Sequence, residues 1–284
     1  MHLNLLPFLQ CPVCAHNPLA LRTTNDGPTI DHGTLHCPRC DHSVAIHDGI
    51  VDMLGDAPVA VTPAQLTNYA PPTAWAYERL WRWQALSQLT GEHFPWRREL
   101  ALVRGVIAPE RGGLFVDVAC SAGLYARAWA TSATADTVLV GVDHALPMLR
   151  EAQRQAVHSR QPISWVRAAA QALPFRAGAA AGVGMGGSLN EIGDAPQALR
   201  EIRRILTPNG RFVTMNIVAA RSGWGRVLQR LLATGGIAFP TLDAFNGMLQ
   251  EARLARWAQW QWRVVAITAA SPAPQMDADG HRSG

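Results

Sequence analysis

Four of the five cysteines lie in two C-P-x-C knuckles, and their chemistry is that of metal-binding thiolates. Cys11 and Cys14 form the first knuckle, Cys37 and Cys40 form the second, and 22 residues separate the two. A two-residue spacer lets both thiolates of a knuckle reach one ion, and two knuckles complete a tetrahedral Zn²⁺ site. Four thiolates leave no open coordination position, so we expect a structural zinc rather than a catalytic one.

The same cysteines also allow two disulfides or four free thiols. Disulfides belong to oxidising compartments. The segment MHLNLLPFLQ has no Lys or Arg ahead of its apolar stretch, so we expect no signal peptide and a cytoplasmic protein. This setting favours zinc. A module of about 50 residues is too small to bury a large core, so metal binding would supply much of its folding energy.

A second group of residues has the types and spacing expected around a nucleotide-like ligand. Asp117 lies in an apolar run, and the small residues Ala119, Ser121 and Gly123 follow it. Small residues let the backbone turn tightly and approach a ligand closely. The next apolar run ends at Asp143, where a carboxylate can accept hydrogen bonds from ribose hydroxyls. Alternatively, Asp143 is a helix N-cap and Asp117 an ordinary polar residue at a strand end.

A sheet must hold these residues, and the apolar runs predict one. Strands are predicted at 114–120, 137–143, 163–168, 181–187 and 211–218. Helical segments alternate with them, and the helix at 196–206 ends at a turn over 207–210. This alternation predicts an α/β fold, a doubly wound, mostly parallel sheet whose ligands bind beyond the carboxyl ends of the strands.

Composition shifts predict five segments along the chain. They are a zinc ribbon (1–55), a linker (56–73), a helical pre-domain (74–110), an α/β domain that would bind the ligand (111–270) and a disordered tail (271–284). Within them we expect a hairpin at 43–54, two helices that break near 91–95, a mobile lid at 234–240 and a final hairpin at 256–269.

The overall composition excludes several classes of protein. Of the 284 residues, 48% are hydrophobic and 16% are charged, which supports a large buried core and argues against disorder. The net charge of +4 permits contact with nucleic acid but does not indicate it. No run of 18 uninterrupted apolar residues occurs, so we expect no membrane-spanning helix.

The ordered segments from 114 to 218 resemble the class I S-adenosylmethionine-dependent methyltransferases. FVDVACSAGLYARAWA is similar to the first motif of that family, and VLVGVDHALPMLREA is similar to the second. AAAQALPFRAGAAAGV and ALREIRRILTPNGRFVTMNIV resemble the regions that follow. The resemblance implies a binding site for the methyl donor. Its residues would be Asp117, Ala119, Cys120, Ser121 and Gly123 for the methionine part, Asp143 for the ribose, His144, Met148, Ala170 and Gln171 around the adenine, and Ser188 to Glu191 facing the reacting centre.

Three residues depart from the family pattern. Ala119 and Ser121 replace glycine, which is tolerable if their backbone angles are ordinary. Ala169 stands where many relatives carry an Asp that accepts a hydrogen bond from the adenine amino group. Cys120 is expected to be a small packing residue, because no partner base is evident for a nucleophile.

The cysteine knuckles together with YERLWR and FVDVACSAGLYAR resemble plastid and cyanobacterial methyltransferases that are relatives of the ubiquinone and menaquinone methyltransferases. Methyl transfer is an in-line displacement in which the enzyme mainly positions the nucleophile. Glu191, His93 and Tyr69 are candidates for a general base, which a phenol or hydroxyl acceptor would need.

Three hypotheses follow. The favoured one is a methyltransferase for a small, apolar or aromatic, quinone-like acceptor. The second is a ribosomal RNA base methyltransferase that grips RNA with its ribbon. The third is a non-catalytic scaffold in which the ribbon binds a protein. The sequence leaves the oligomeric state open.

Overall fold

We describe a computed structural model that covers residues 1–24, 27–56, 62–66, 69 and 83–274. The strands are β1 Ala20–Arg22, β2 Gly33–His36, β3 Ser43–His47, β4 Ile50–Asp52, β5 Gly113–Val118, β6 Thr137–Asp143, β7 Ile163–Arg167, β8 Ala180–Gly186, β9 Leu206–Ile217, β10 Leu254–Trp262 and β11 Val265–Pro272. The α-helices are α1 Pro63–Leu66, α2 Trp83–Thr90, α3 Trp96–Ile107, α4 Leu124–Ala130, α5 Leu146–His158, α6 Ala195–Ile205, α7 Gly223–Ala233 and α8 Leu242–Glu251. Short 3₁₀ turns lie at Leu3–Phe8, Pro109–Arg111 and Ser188–Asn190.

All described strands join one sheet of order β1-β2-β3-β4-β7-β6-β5-β8-β9-β11-β10. From β4 to β9 the neighbours run parallel, and antiparallel strands complete both edges. The central strands form because they are continuous apolar runs, and every residue of β6 is buried. The carboxyl ends of β5, β6 and β8 therefore meet at one edge of the sheet, as the sequence predicted.

Helices cover both faces of the sheet, which confirms the doubly wound architecture. Residues of α3, α4 and α5 pack with Trp129 and Trp165 on one face. Residues of α6 and α8 pack with Phe212 on the other face. The core of the ribbon is continuous with this second face, because Leu9 and Leu35 belong to the same buried cluster as Val166.

The N-terminal ribbon is joined to the catalytic sheet by strand pairing. β4 lies parallel to β7, with Ile50 opposite Trp165. The predicted boundary at residue 55 comes just after β4. It separates two segments of the chain, but the strands of both segments belong to one sheet. Outside the sheet, the amide of Gln10 donates to the carbonyl of Pro174 at 2.9 Å, and the amide of Arg176 donates to that of Phe8 at 3.0 Å. The ribbon and the α/β domain thus share both backbone hydrogen bonds and a core.

Most predicted elements lie within two residues of the observed ones, and two differ. The predicted turn at 207–210 lies inside β9, where Leu206 and Arg211 pair with Ala180 and Gly182. The four residues between them bulge out of the ladder, so the turn interrupts the strand rather than preceding it. The tail was predicted to begin at Ser271, but Ser271 and Pro272 pair with β10. Much of the predicted linker and pre-domain, and residues 275–284, lie outside the described residues.

Candidate active site

The loop after β5 turns by left-handed backbone at three alternate residues. The φ angles are +51° at Ala119, +49° at Ser121 and +76° at Gly123. The condition under which Ala119 and Ser121 replace glycine without strain, ordinary backbone angles, is therefore not met, and the cost of a left-handed L-residue is about 1–2 kcal/mol. Neighbouring strands hold the loop, because the amide of Cys120 donates to the carbonyl of Val142 at 2.9 Å. The hydroxyl of Ser188 also donates to the carbonyl of Ala119 at 3.0 Å.

Gly123 is the one position of this loop where a side chain cannot fit. A Cβ atom there would lie 2.5 Å from the ring of Trp165, which is buried on β7. Its left-handed angle also favours glycine. Gly123 thereby lets the loop lie against Trp165 and begin α4, whose N-cap it is.

Asp143 fixes the junction of two loops through both of its carboxylate oxygens. Oδ2 accepts from the amide of Ser121 at 2.8 Å, and Oδ1 accepts from the amide of Ala145 at 2.9 Å. The residue is buried, with 7% of its surface exposed. A carboxylate has about four acceptor positions, so Asp143 retains capacity for ribose hydroxyls while it holds both amides. The two roles weighed for it, cap and ligand, are therefore compatible.

Asp117 is more deeply enclosed. Only 2% of its surface is exposed, and Oδ2 accepts from the amide of Ala126 in the first turn of α4 at 2.9 Å. This bond ties the end of β5 to the helix that follows the loop. The geometry gives Asp117 a positioning role, and its predicted contact with a methionine group stays a prediction.

The residues predicted around the adenine are brought together beyond β6. The hydroxyl of Ser121 donates to the sulfur of buried Met148 at 3.4 Å. Tyr69 lies beside His144, with 2.7 Å between Oη and Nδ1. Burial raises the pKa of the Tyr69 phenol, and the negative charge of Asp143 also raises it, while Arg167 lowers it. Tyr69, a predicted candidate base, thus lies beside one of the residues predicted around the adenine, and its role stays a prediction.

Residues 168–171 follow β7 at the same edge. The amide of Ala168 donates to the carbonyl of Asp143 at 3.1 Å, which fixes the start of this loop. Ala170 is buried, and the carbonyl of Gln171 accepts from the side chain of Gln197 at 3.3 Å. The carbonyl of Ala169 is engaged by the amide of Ala172 at 3.1 Å.

Glu191 lies after β8, on the side of the site opposite the ribbon. Burial raises the pKa of its carboxyl group, and the charge of Asp143 raises it further. Its backbone carbonyl accepts from the hydroxyl of Thr62 at 3.2 Å. The third candidate base, His93, is exposed in the turn between α2 and α3. No hydrogen bond or ion pair of the described residues joins His93 to the loop of residues 119–123, which we call the donor loop. The structure therefore does not bring His93 together with Glu191.

One residue of this site, Arg167 at the end of β7, escaped sequence reasoning. It forms an ion pair with Asp52 of the ribbon at 2.8 Å, and its Nε donates to the carbonyl of His144 at 3.3 Å. Both partners are distant in sequence, so only the position of Arg167 at the end of a strand could have indicated it. Asn190, which lies in the predicted range Ser188 to Glu191, donates to the carbonyls of Ile217 and Ala238, at 2.7 and 2.6 Å.

The four knuckle cysteines converge on one point. Their sulfur atoms lie within 4.8 Å of one another, with 3.6 Å between Cys11 and Cys40 and 3.5 Å between Cys14 and Cys37. A tetrahedral zinc with bonds of about 2.3 Å separates its sulfurs by about 3.8 Å, whereas a disulfide is about 2.05 Å long. The set therefore fits Zn²⁺, and the disulfide alternative is wrong. Cys120 lies elsewhere, and burial raises the pKa of its thiol, which suits a packing residue.

Comparisons with known proteins match both parts of the chain. The ubiE/COQ5 methyltransferase family matches residues 86–222. A family described as Trm112p-like protein matches residues 2–49, the ribbon. Within the described residues, no helix has the length and apolar character needed to cross a membrane.

Individual proteins that are similar to this chain are also named as methyltransferases. An uncharacterized chloroplastic methyltransferase of Arabidopsis thaliana is 29% identical over 72% of this chain and 60% of its own length. A 2-phytyl-1,4-naphtoquinone methyltransferase of Trichormus variabilis is 31% identical over 54% of this chain and 65% of its own. The chain thus spans about three fifths of the length of such relatives. Because one relative is chloroplastic, the cytoplasmic expectation stays a prediction.

Among solved structures, a geranyl diphosphate C-methyltransferase of Streptomyces coelicolor has a TM-score of 0.54. It is 14% identical, and the match covers 62% of this chain and 77% of that one. At this identity the match concerns the fold alone. It agrees with the Rossmann-like architecture described above.

Proposed function

We propose that this chain is a class I S-adenosylmethionine-dependent methyltransferase with an N-terminal zinc ribbon, and that it methylates a small, apolar, quinone-like ring. The observation that carries this proposal is the 31% identity with a 2-phytyl-1,4-naphtoquinone methyltransferase over 54% of the chain. The donor, S-adenosylmethionine, supplies an electrophilic methyl group on a positively charged sulfonium.

The charges of the site suit a cationic donor. The charge of Asp143, at the end of β6, raises the pKa of Glu191, which follows β8, so the two carboxyl groups lie near one another at the edge where these strands end. Two carboxylates near one another favour a bound cation. Asp143 would hold the ribose, while His144 and Met148 would flank the adenine. The donor loop, with Ala119, Cys120, Ser121 and Gly123, would surround the methionine group.

Glu191 is the residue that we assign to proton transfer. A reduced quinone-type ring carries hydroxyl groups, and loss of a ring or hydroxyl proton must accompany methylation. A carboxylate whose pKa is raised towards neutrality is a better general base than an ordinary one. Ser188 and Asn190 hold the loop that carries Glu191, through their bonds to Ala119 and Ile217. Tyr69 and His93 are less suited, because Tyr69 bonds to His144 and no hydrogen bond or ion pair among the described residues joins His93 to the loop of Glu191.

We further propose that Cys11, Cys14, Cys37 and Cys40 bind one structural Zn²⁺ per chain. The ion would fix the ribbon, and the ribbon in turn would position β7 through β4. This role does not require the ribbon to contact RNA.

A parallel labelling experiment tests the acceptor. Protein and methyl-labelled donor are incubated with a reduced naphthoquinone in detergent and, separately, with ribosomal RNA. Label in the quinone is expected. Label only in the RNA would support the RNA hypothesis instead, and failure to bind the donor in calorimetry would support the scaffold.

The role of Glu191 is tested by a matched pair of variants. Glu191→Gln should lower kcat by about 10²–10⁴-fold while donor affinity changes little. Glu110→Gln, at an exposed position before β5, should leave kcat unchanged. Equal activity of both variants would refute the assignment of the base.

A further inference from the structure

Helix α7 presents its apolar side to the solvent. Trp224, Val227, Leu228 and Leu231 recur at helical spacing and form one stripe. Trp224 is 87% exposed and Leu231 is 67% exposed, and no residue of the helix is buried. A surface helix of a globular protein normally turns such a stripe towards the core. This outward orientation indicates that the stripe is covered by something other than the part of the chain that the structure describes.

The side of α7 that faces the body is polar. Gln229, which lies across the helix from Trp224, donates to the carbonyl of Val218 at 2.9 Å and accepts from the amide of Ala220 at 2.7 Å. Gly225, one turn earlier, is also half-buried. These contacts fix the rotation of the helix. The apolar stripe therefore cannot turn inward without loss of both hydrogen bonds.

The charge around α7 is of one sign. Arg221, Arg226 and Arg230 are all exposed, and no acidic residue occurs between Glu201 and Asp243. A helix with Trp and Leu on one side and basic residues on the other is typical of elements that lie in the headgroup region of a bilayer. Long arginine side chains reach headgroups from the flank of such a helix.

We infer that α7 docks the protein onto an anionic lipid surface. At 11 residues and 1.5 Å per residue, the helix is about 16 Å long, which suits shallow insertion in the plane of the headgroups. The basic flank of the helix complements anionic headgroups.

The location of α7 would bring a membrane-dissolved acceptor close to the candidate active site. This part of the inference rests on the function proposed above. The segment that follows α7 contacts the site, because the amide of Ala238 donates to the carbonyl of Asn190 at 2.7 Å. The carbonyl of Gly235 accepts from Ala64, next to Thr62, whose hydroxyl bonds to Glu191. An apolar acceptor dissolved in a bilayer would therefore be presented beside the candidate base.

Vesicle co-sedimentation of the zinc-loaded full chain tests this docking. The probes are vesicles of phosphatidylcholine alone and of phosphatidylcholine mixed with phosphatidylglycerol. We expect binding to the mixed vesicles, partly lost at high salt. Leu231→Asp and Trp224→Asp should each weaken partitioning by about tenfold or more. Trp257→Asp, at an exposed tryptophan on β10, is the matched control and should bind as the parent protein does.

Three outcomes would overturn the inference. They are no vesicle binding by the parent protein, equal loss in the Trp257 control, and light scattering that shows a dimer that Leu231→Asp dissociates. Vesicle binding requires no turnover, so it separates this inference from the proposed function. If the α7 variants lose vesicle binding while no quinone is methylated, the docking surface stands and the proposed acceptor fails.

Discussion

Ala119→Gly should relieve backbone strain in the donor loop without adding a contact. Ala119 has a φ of +51°, where an L-residue suffers a clash between its Cβ and the backbone. Glycine has no Cβ and adopts this angle freely. The substitution also loosens the unfolded chain, which opposes the gain. A matched alanine is needed to separate the two effects.

Ala128 on α4 provides that reference. It is half-buried, as Ala119 is, but it lies inside a helix. Both variants lose a half-buried methyl group and gain the same unfolded-state entropy. Ala128→Gly should destabilise the protein by about 1 kcal/mol. The free energy of unfolding of Ala119→Gly should exceed that of Ala128→Gly by about 1–2 kcal/mol, because glycine removes the cost of a left-handed alanine.

Thermal unfolding of the zinc-loaded protein, followed by circular dichroism, measures the difference. A gap of 1–2 kcal/mol corresponds to a Tm that is about 3 °C or more higher for Ala119→Gly than for Ala128→Gly. Equal Tm values for the two variants would refute the assignment of strain to this loop. Calorimetric titration with S-adenosylhomocysteine should show that Ala119→Gly retains the donor site.

Four further changes probe other parts of the structure. Cys37→Ser should abolish the one zinc per chain found by metal analysis and lower the Tm sharply, because metal binding supplies folding energy; full retention of zinc would contradict the four-thiolate site. Arg167→Met should weaken binding of S-adenosylhomocysteine by about fivefold to tenfold with zinc content unchanged, since it removes a charge-assisted link between the ribbon and the loop after β6; unchanged affinity would mean that the ribbon does not support the donor site. Glu191→Gln should raise the Tm near neutral pH but not near pH 4. The pKa of the Glu191 carboxyl group is raised in the folded protein, so the parent protein loses stability as the pH rises from the ordinary pKa of a glutamate, about 4.3, through the raised folded value. Tm–pH curves that run parallel for the parent and the variant would contradict this. Ala169→Asp should tighten donor binding by about tenfold, the value of one added hydrogen bond, and weaker binding would place the adenine elsewhere.

Local patterns were sufficient to predict most of the elements and several site residues. β6 was predicted at its observed bounds because it is an uninterrupted apolar run, and such runs form buried parallel strands almost independently of their neighbours. The two knuckles were identified by their spacing, which already brings two thiolates to one ion. Asp143 was identified because a strand end in a parallel sheet faces the ligand edge.

Features that depend on distant pairing were not predicted. The turn at 207–210 has ordinary turn residues, yet pairing of Leu206 and Arg211 with β8 places it inside a strand. His93 has a suitable side chain, but the packing of α2 and α3 leaves it in an exposed turn. Residue type predicts chemistry, whereas position in the fold decides whether that chemistry is available.

The sequence by itself determined the two cysteine knuckles of the candidate metal site, the order of strands and helices along the chain, and the carboxylates at the sheet edge, since each knuckle, element or carboxylate depends on residues within about one element. Only the tertiary structure decided that β4 of the ribbon extends the catalytic sheet beside β7, that Arg167 connects the two, and that α7 turns its apolar stripe outward. Strand partners and helix rotation depend on contacts between residues far apart in the chain, and no local spacing encodes them.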